Sequence, residues 1–554
     1  MISTILQAPG APLLARTAAL ALGLLAGGCA NHAGLHPRAL IGEVNALAVQ
    51  QTLAGQSTLA VPNTLAVPNT LAVQRPPDHS GAADRASVAA QSPESPPAFR
   101  LSPGTWPATD WWTGFGDAQL GALIEEALAG SPTLRSAAAR LDRAVAVAGI
   151  AAAAIGLQAG AGVDSTRQRL SQHGLVPPQY AGSWITQNSA LLNARYELDF
   201  WDRNRAAYDS ALGQAKAGEV DAYATRLLLS VSVAQAYVQL QRAFELLDVA
   251  RSLLGQREAV LALTERRLAA GLDSRIEVKQ AQGAVPAVRE TIVQIEESIA
   301  LTRNQLAALL GKGPDRGLAV SRPRLEPAAP VALPGNLPAD LLGRRPDLIA
   351  QRWRAEAARH EIAAARAQFY PNVNIAAFVG LQSLGFANLL RAGSVVAGAG
   401  PALRLPIFES GGLRANLAAK NAEFDAAVEQ YNQSLVEALR DVVDQLTSLR
   451  SVAAQRMELK SAFASATEAW ELALARYRAG LGNYLQVLSA EAQLLAQKNL
   501  EAELRAREIA LSIHLIRALG GGYRDESGSE SAGPGGGVTP PSGPGGTPLE
   551  RNVN

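Results

Sequence analysis

The chain has 554 residues, 48% of them hydrophobic and 5% aromatic, with Lys+Arg 50 against Asp+Glu 49 and a single cysteine. So balanced a charge, without a general basic surface, argues against nucleic acid as a partner, and one cysteine excludes disulfides within the chain. Beyond the N-terminus no stretch approaches the ~20 unbroken apolar residues of a spanning helix, so any membrane crossing falls to strands, whose alternating faces need far fewer.

Residues 1–28 read as an export signal: Arg16 precedes the short apolar run Thr17–Gly28, which ends in small residues. Leu25-Ala26-Gly27-Gly28-Cys29 resembles a bacterial lipobox, which implies that Cys29 takes a lipid and becomes the mature N-terminus. Ala30 follows it in place of the Asp associated with inner-membrane retention, so the resemblance directs the lipoprotein to the outer membrane. One lipid chain anchors only weakly. Residues 29–105 are a low-complexity, Pro-rich tether, with TLAVPN at Thr58–Asn63 repeated at Thr64–Asn69.

Residues 106–313 read as a first structural repeat of helix, two strands and long helical hairpin. Ser131-Pro132-Thr133-Leu134 opens its Ala-rich helix. Over Ala190–Phe200 the even positions Ala190, Leu192, Ala194, Tyr196, Leu198 and Phe200 are apolar, while Asn193, Arg195, Glu197 and Asp199 between them are polar, which suits a strand with one face toward lipid and one toward water. A helix from near Arg205 to Ala269 would be on the order of 95 Å long. RLAAGLDSRIEV (Arg267–Val278) then forms a hairpin tip. Beyond it Val285, Val288, Ile292, Ile295, Ile299, Thr302, Leu306 and Leu309 make a coiled-coil seam, in which Pro286 predicts a kink or a late helix start.

A Pro-rich connector, 314–338, leads along the outside of the body to a second repeat, 339–522. Arg345-Pro346-Asp347-Leu348 opens its helix. Asn372, Asn374 and Gln382 alternate with Val373, Ile375, Val379 and Leu381, and Leu403, Leu405 and Ile407 flank Arg404. A long helix from near Arg414 carries the seam Phe424, Val428, Tyr431, Leu435, Ala438 and Val442. RYRAGLGNYLQV (Arg476–Val487) repeats the first tip, with Arg476, Ala479, Gly480, Leu481 and Val487 at the places of Arg267, Ala270, Gly271, Leu272 and Val278. The register continues without a gap to Gly311 and Gly520. Tyr196, Phe200, Trp201 and Phe408 suit an interfacial aromatic girdle. Residues 523–554 form a Gly/Pro/Ser-rich, disordered tail. Four strands cannot close a barrel alone, so several chains would share one.

Trp111-Trp112-Thr113-Gly114-Phe115-Gly116-Asp117, Pro346-Asp347-Leu348, Phe369-Tyr370-Pro371 and the two Ala-Gly-Leu tips resemble the TolC-like outer-membrane factor family, in its NodT/OprM-related efflux lipoprotein branch. The resemblance covers roughly Trp111 to Gly522. It implies an internally duplicated α+β membrane protein that trimerises: each protomer gives four strands to one 12-stranded β-barrel, continued by a long periplasmic α-helical coiled-coil barrel. It implies an outer-membrane channel passively conducting small molecules from an inner-membrane efflux pump through a periplasmic membrane-fusion adaptor, anchored also by outer-membrane lipid. The residues it assigns to adaptor-facing tips are Arg267, Ala270, Gly271, Leu272, Glu277 and Val278, with Arg476, Ala479, Gly480, Leu481, Gln486 and Val487. Gln486 stands where many relatives carry an acidic residue, and Leu157 where the second repeat has Pro371.

Other classes fare less well. His32, His36, His79, His173, His360 and His514 show no metal spacing and no Gly-rich phosphate loop is present, so no enzyme, cofactor or metal is expected. The competing reading is a structural coiled-coil lipoprotein of the envelope without a pore.

Overall fold

The computed structural model describes residues 34–41, 106–327, 343–406 and 409–524. Cys29, Ile407 and Phe408, the signal, and most of the tether and tail lie outside the described residues. In chain order the elements are a 3-10 turn (Trp111–Phe115), α1 (Ala118–Gly130), α2 (Pro132–Ile155), β1 (Gln158–Arg169), β2 (Trp184–Leu198), α3 (Arg203–Ala269) and α4 (Arg275–Leu309). After a short helical turn at Asp315–Leu318 come α5 (Pro346–Ala367), β3 (Asn372–Leu384), β4 (Val395–Arg404), α6 (Ser410–Arg478) and α7 (Tyr484–Ala518).

The duplication is visible throughout. Proline occupies the first position of both α2 and α5, where its missing N–H costs nothing. Ser131 caps α2 by accepting from Thr133 N at 3.2 Å. At α5 the capping position is Arg345, which is buried; its guanidinium donates to Asp347 and to the carbonyls of Ala438 and Ala518, so it ties α5 to α6 and α7.

α3 has 67 residues and α6 has 69, each about 100 Å long. α2 and then α4 pack along α3; α5 and then α7 pack along α6. α5 and α7 also touch α3, so the two repeats form one layer. Where a returning hairpin helix meets a short helix, the chain turns at Gly311 (φ 71°) and Gly520 (φ 91°). A Cβ there would lie 2.7 Å from the Gly130 carbonyl oxygen or 2.0 Å from that of Arg344, so neither position admits a side chain.

α4 runs unbroken from Arg275 through Pro286, so the late start foreseen at the proline does not occur. Val285, Val288, Ile299 and Leu306 of its seam are buried, as are Val428, Tyr431, Leu435, Ala438 and Val442 of α6. The largest core lies at mid-height, where Trp111, Trp112, Phe115 and α1 pack against Tyr237 and Leu240 of α3. Asp117 caps α1, accepts the Tyr237 hydroxyl at 2.8 Å and accepts Arg324 N at 2.8 Å. Val320 and Leu325 are buried and Gln241 holds both backbone groups of Leu325, so the first part of the connector is part of this belt and does not merely run outside it.

The four strands form one antiparallel sheet in the order β1-β2-β3-β4. β2 stops at Leu198, two residues short of Phe200, because the chain turns there (Phe200 N to Leu198 O, 2.9 Å) and enters α3 through Asp202 at φ 55°. β4 likewise ends at Arg404, before Leu405.

Candidate functional site

Two regions could act on something outside the chain: the sheet and the helical tips at the opposite end. In an antiparallel pair, residues directly opposite share a face. The register therefore sorts the sheet into lateral rows. One face carries Leu198, Val373 and Leu403; then Tyr196, Ile375 and Pro401; then Ala159, Ala194, Ala377 and Ala399; then Ala161, Leu192, Val379 and Ala397; then Val163, Ala190, Leu381 and Val395. These are five apolar rows two residues apart, spanning roughly 26 Å along the strands. Leu192, Val163 and Leu403 are 60%, 80% and 64% exposed, so nothing among the described residues covers this face.

The other face carries Gln158, Arg195, Asn193, Asp164, Ser189, Gln382, Glu197 and Asn374, interleaved with Gly160, Gly162, Gly380, Gly398 and Gly400. At its helical end the polar groups pair with one another: Arg195 donates to Asn374 Oδ1, and Asn372 to Glu197, which also holds Arg203. Near the helical end, Trp201 stacks on Tyr370 with ring centroids 4.5 Å apart and donates to the Pro371 carbonyl. Both outer edges, β1 and β4, are unpaired among the described residues.

At the other end both long helices stop in one geometry. Gly271 (φ 72°) and Gly480 (φ 76°) turn left-handed; Leu272 N donates to Arg267 O and Leu481 N to Arg476 O, both at 2.9 Å, which is the Schellman arrangement. Ser274 and Asn483 then cap the return helices. Glu277 completes a capping box with Ser274, whose hydroxyl and backbone donations hold the Glu277 carboxyl below its ordinary range. Gln486 occupies the same third position of α7, giving its backbone N–H to Asn483 Oδ1 at 3.0 Å. The Glu/Gln difference between the tips thus falls at a capping position.

Of the twelve residues assigned to adaptor-facing tips, Ala270, Gly271, Leu272, Arg476, Ala479, Gly480, Leu481 and Gln486 are exposed and Glu277 is half-buried. Arg267, Val278 and Val487 are buried and turn inward. The sequence reading passed over Ile276 and Leu485, which hold equivalent places in the two tips, are 67% and 60% exposed, and extend the apolar apex of Leu272 and Leu481. The repeat register itself would have found them.

Arg267 pins the two hairpins together. Its guanidinium grips Asp273 at 2.9 and 3.1 Å, donates to the Tyr477 carbonyl at 2.8 Å and lies 4.5 Å above the Tyr477 ring. The Tyr477 hydroxyl donates to Asp273 at 2.5 Å and also meets Thr264 at 3.0 Å. Burial alone would raise the Asp273 carboxyl, but hydrogen bonds from Arg267 and Tyr477 leave it below its ordinary value. Burial, together with the bond to Asp273, pushes the Tyr477 hydroxyl up to about 12. Higher up, half-buried Arg257 and buried Glu491 link α3 to α7 at 2.9 Å.

A depressed carboxyl stabilises the fold above its unfolded value of ~3.9 and loses that contribution as pH falls through its folded value. A raised phenol contributes below its unfolded value of ~10 and loses the contribution as pH rises through about 12. The pin is therefore at full strength between about pH 4 and pH 10. Asp273→Ala leaves a buried guanidinium and hydroxyl without their acceptor and is expected to loosen the tip by on the order of 1–3 kcal/mol. Amide hydrogen exchange over residues 262–280 measures this; exchange unchanged from wild type would mean the pin holds nothing.

Comparison with known proteins agrees with this geometry. The family model described as outer membrane efflux protein matches residues 123–312 and 337–521, one segment in each repeat. The multidrug resistance outer membrane protein MdtP of Escherichia coli K12 is 33% identical over 435 residues, 77% of this chain and 89% of that protein. The fusaric acid resistance protein FusA of Burkholderia cepacia is 42% identical over 322 residues, and the matched part covers 60% of that relative's length. The crystal structure of the outer membrane protein VceC from Vibrio cholerae superposes with a TM-score of 0.72 at 37% identity, covering 75% of this chain and all of that one.

Proposed function

This chain belongs to the outer membrane efflux protein family, and from that membership we propose that three copies close one twelve-stranded barrel in the outer membrane. The barrel continues as a helical tube through the periplasm and passively conducts small molecules delivered by an inner-membrane pump through a periplasmic adaptor at the helical tips. The family is one of channel proteins and not of enzymes.

The observation that carries the proposal is the row pattern of the sheet. Five uncovered apolar rows on strands tilted ~40° give a band about 20 Å high, close to the ~25 Å lipid-facing band of outer-membrane barrels. The opposite face carries the sheet's charged and amide side chains and its glycines, with Leu191, Phe378 and Val396 among them. Two free edges demand further strands, and eight strands would leave an interior wide enough only for side chains, whereas twelve leave a passage. A structural coiled-coil lipoprotein without a pore would leave the rows and both edges bare. The mass of the detergent-solubilised complex tests the stoichiometry: three chains are expected, and a monomer or dimer would contradict the shared barrel.

A lipid on Cys29 fits the placement of the stretch that follows it. Leu35 packs with Ile362, Phe369 and Leu417 beside the helical end of the sheet, and Asp425 accepts the backbone N–H groups of Arg38 and Ala39 at 2.8 and 2.9 Å. The chain segment leading back to Cys29 therefore starts at the level where the barrel would leave the membrane. Cys29→Ser is expected to abolish palmitate labelling while trimers still form, because the barrel makes its own membrane contact; labelled lipid on the mutant would refute the lipobox reading.

A further inference from the structure

At the end of the sheet remote from the helices the apolar rows give way to a different surface. Beyond Val163 the same face of β1 continues as Ser165, Arg167 and Arg169; across from these stand Asn188, Thr186 and Trp184 of β2. Both arginines are exposed, and Trp184, directly opposite Arg169, is 64% exposed. Arg169 donates one N–H to the Gly182 carbonyl, whereas the Arg167 guanidinium has no partner among the described residues. The loop joining β3 to β4 at this end adds Arg391 and exposes Phe386 and Leu390.

The charge here has one sign. No Asp or Glu occurs from Ser165 to Tyr196 or from Asn372 to Arg404, and the nearest carboxylate along β1, Asp164, lies on the opposite face. A chain with almost equal numbers of acids and bases thus brings only cations to the end of its apolar face remote from the helices. Exposed arginines in ordinary surfaces have carboxylates nearby; these have an aromatic ring and the edge of an apolar band.

We propose that Arg167, Arg169 and Trp184 form a docking site for a phosphorylated glycolipid of the outer leaflet, with acyl chains along the apolar rows and phosphates on the two guanidinium groups. The inference rests on the barrel reading above. Arginine suits the phosphate because its planar fork donates two parallel hydrogen bonds, and a Trp at the boundary places an apolar body in the chains and its N–H among the headgroups. Arg167 and Arg169 stand on alternate residues of one strand, so both point to the same face, and their long stems let the two guanidinium groups reach separate phosphates, which favours a headgroup bearing two phosphates over one bearing a single phosphate. Occupancy would seal the distal rim of the barrel against the leaflet.

The test uses the full-length protein purified from outer membranes and exchanged into detergent with bisphosphorylated lipid A, its fully dephosphorylated form, or phosphatidylglycerol as probe, with retained lipid per protein measured by mass spectrometry. Wild type is expected to retain the bisphosphorylated lipid. Arg167→Gln with Arg169→Gln should retain it on the order of tenfold or more weakly, and the corresponding double Lys variant, which restores the charge without the fork, should recover part of the loss. Equal retention by the double Gln variant, equal retention of the dephosphorylated lipid or of phosphatidylglycerol, or displacement by inorganic phosphate alone would overturn the site. The single Arg167→Gln variant, which breaks no internal bond, keeps the test valid if the double variant is poorly made. Bilayer recordings on the same preparations separate the two claims: a protein that conducts but shows no lipid preference loses the docking site alone, and one that conducts nothing loses the barrel reading beneath it.

Discussion

Leu192→Arg is expected to deplete the protein from outer-membrane fractions, whereas Asn193→Arg leaves its amount nearly unchanged. The two positions are adjacent in β2 yet on opposite faces: Leu192 lies in the row of Ala161, Val379 and Ala397, while Asn193 lies in the row of Gly160, Phe378 and Gly398. A cation near the bilayer midplane costs about 2–4 kcal/mol on the lipid face of a barrel and little on the lumen side. That cost arises in each of three copies of a shared barrel, so its effect on assembly is amplified. Beside Asn193 the inner face has room on the β1 side, where Gly160 stands opposite it, and on the other side the Phe378 ring leans over Gly398. Heat-resistant oligomer in membrane fractions measures both variants, and equal tolerance at the two positions would mean the alternation does not face lipid.

Gly271→Trp combined with Gly480→Trp is expected to stop export while leaving barrel and oligomer intact. A Cβ at Gly271 meets nothing within 4 Å, and at Gly480 only Arg267 Nη1 at 3.9 Å, so no internal clash arises. The positive φ at both sites does strain any L-residue, by roughly 1–2 kcal/mol each. An Ala pair carries the same strain without the bulk and separates the two effects. The indoles would stand at the apex among Leu272, Ile276, Leu481 and Leu485, where an adaptor would have to seat. Solute accumulation in cells decides: export lost with Trp but kept with Ala supports docking at the apex, and wild-type export by the Trp pair would remove the tips from the mechanism.

The long-range architecture was legible in the sequence because helical hairpins write themselves as period. Seam residues such as Val288 and Val442 recur at three- and four-residue steps, and the tips repeat in register. α6 carries two more residues than α3, which is why the strand ends and the tips of the two halves align with different spacings. β1 was the least legible strand: Ala159, Gly160, Ala161 and Gly162 have too little side chain to alternate visibly, and only pairing with β2 assigns them to faces. The Arg267 pin was illegible for another reason. Its partners Asp273 and Tyr477 stand where the opposite repeat has Gly482 and Leu268, so the repeat that made Arg267 look like a surface residue of the tip hid the asymmetry that buries it. Arg476, the repeat counterpart, lacks those partners and is exposed.

Single-channel recording in planar bilayers tests the central claim, that these chains together line a pore with the glycine-rich polar face of the sheet. Purified wild-type oligomer should give discrete, long-lived current steps. Asn193→Arg should keep those steps and shift the reversal potential in a salt gradient toward anion selectivity, because three new cations would enter one lumen. Absence of discrete currents from a correctly inserted wild-type oligomer, or a reversal potential indifferent to the charge at position 193, would contradict it.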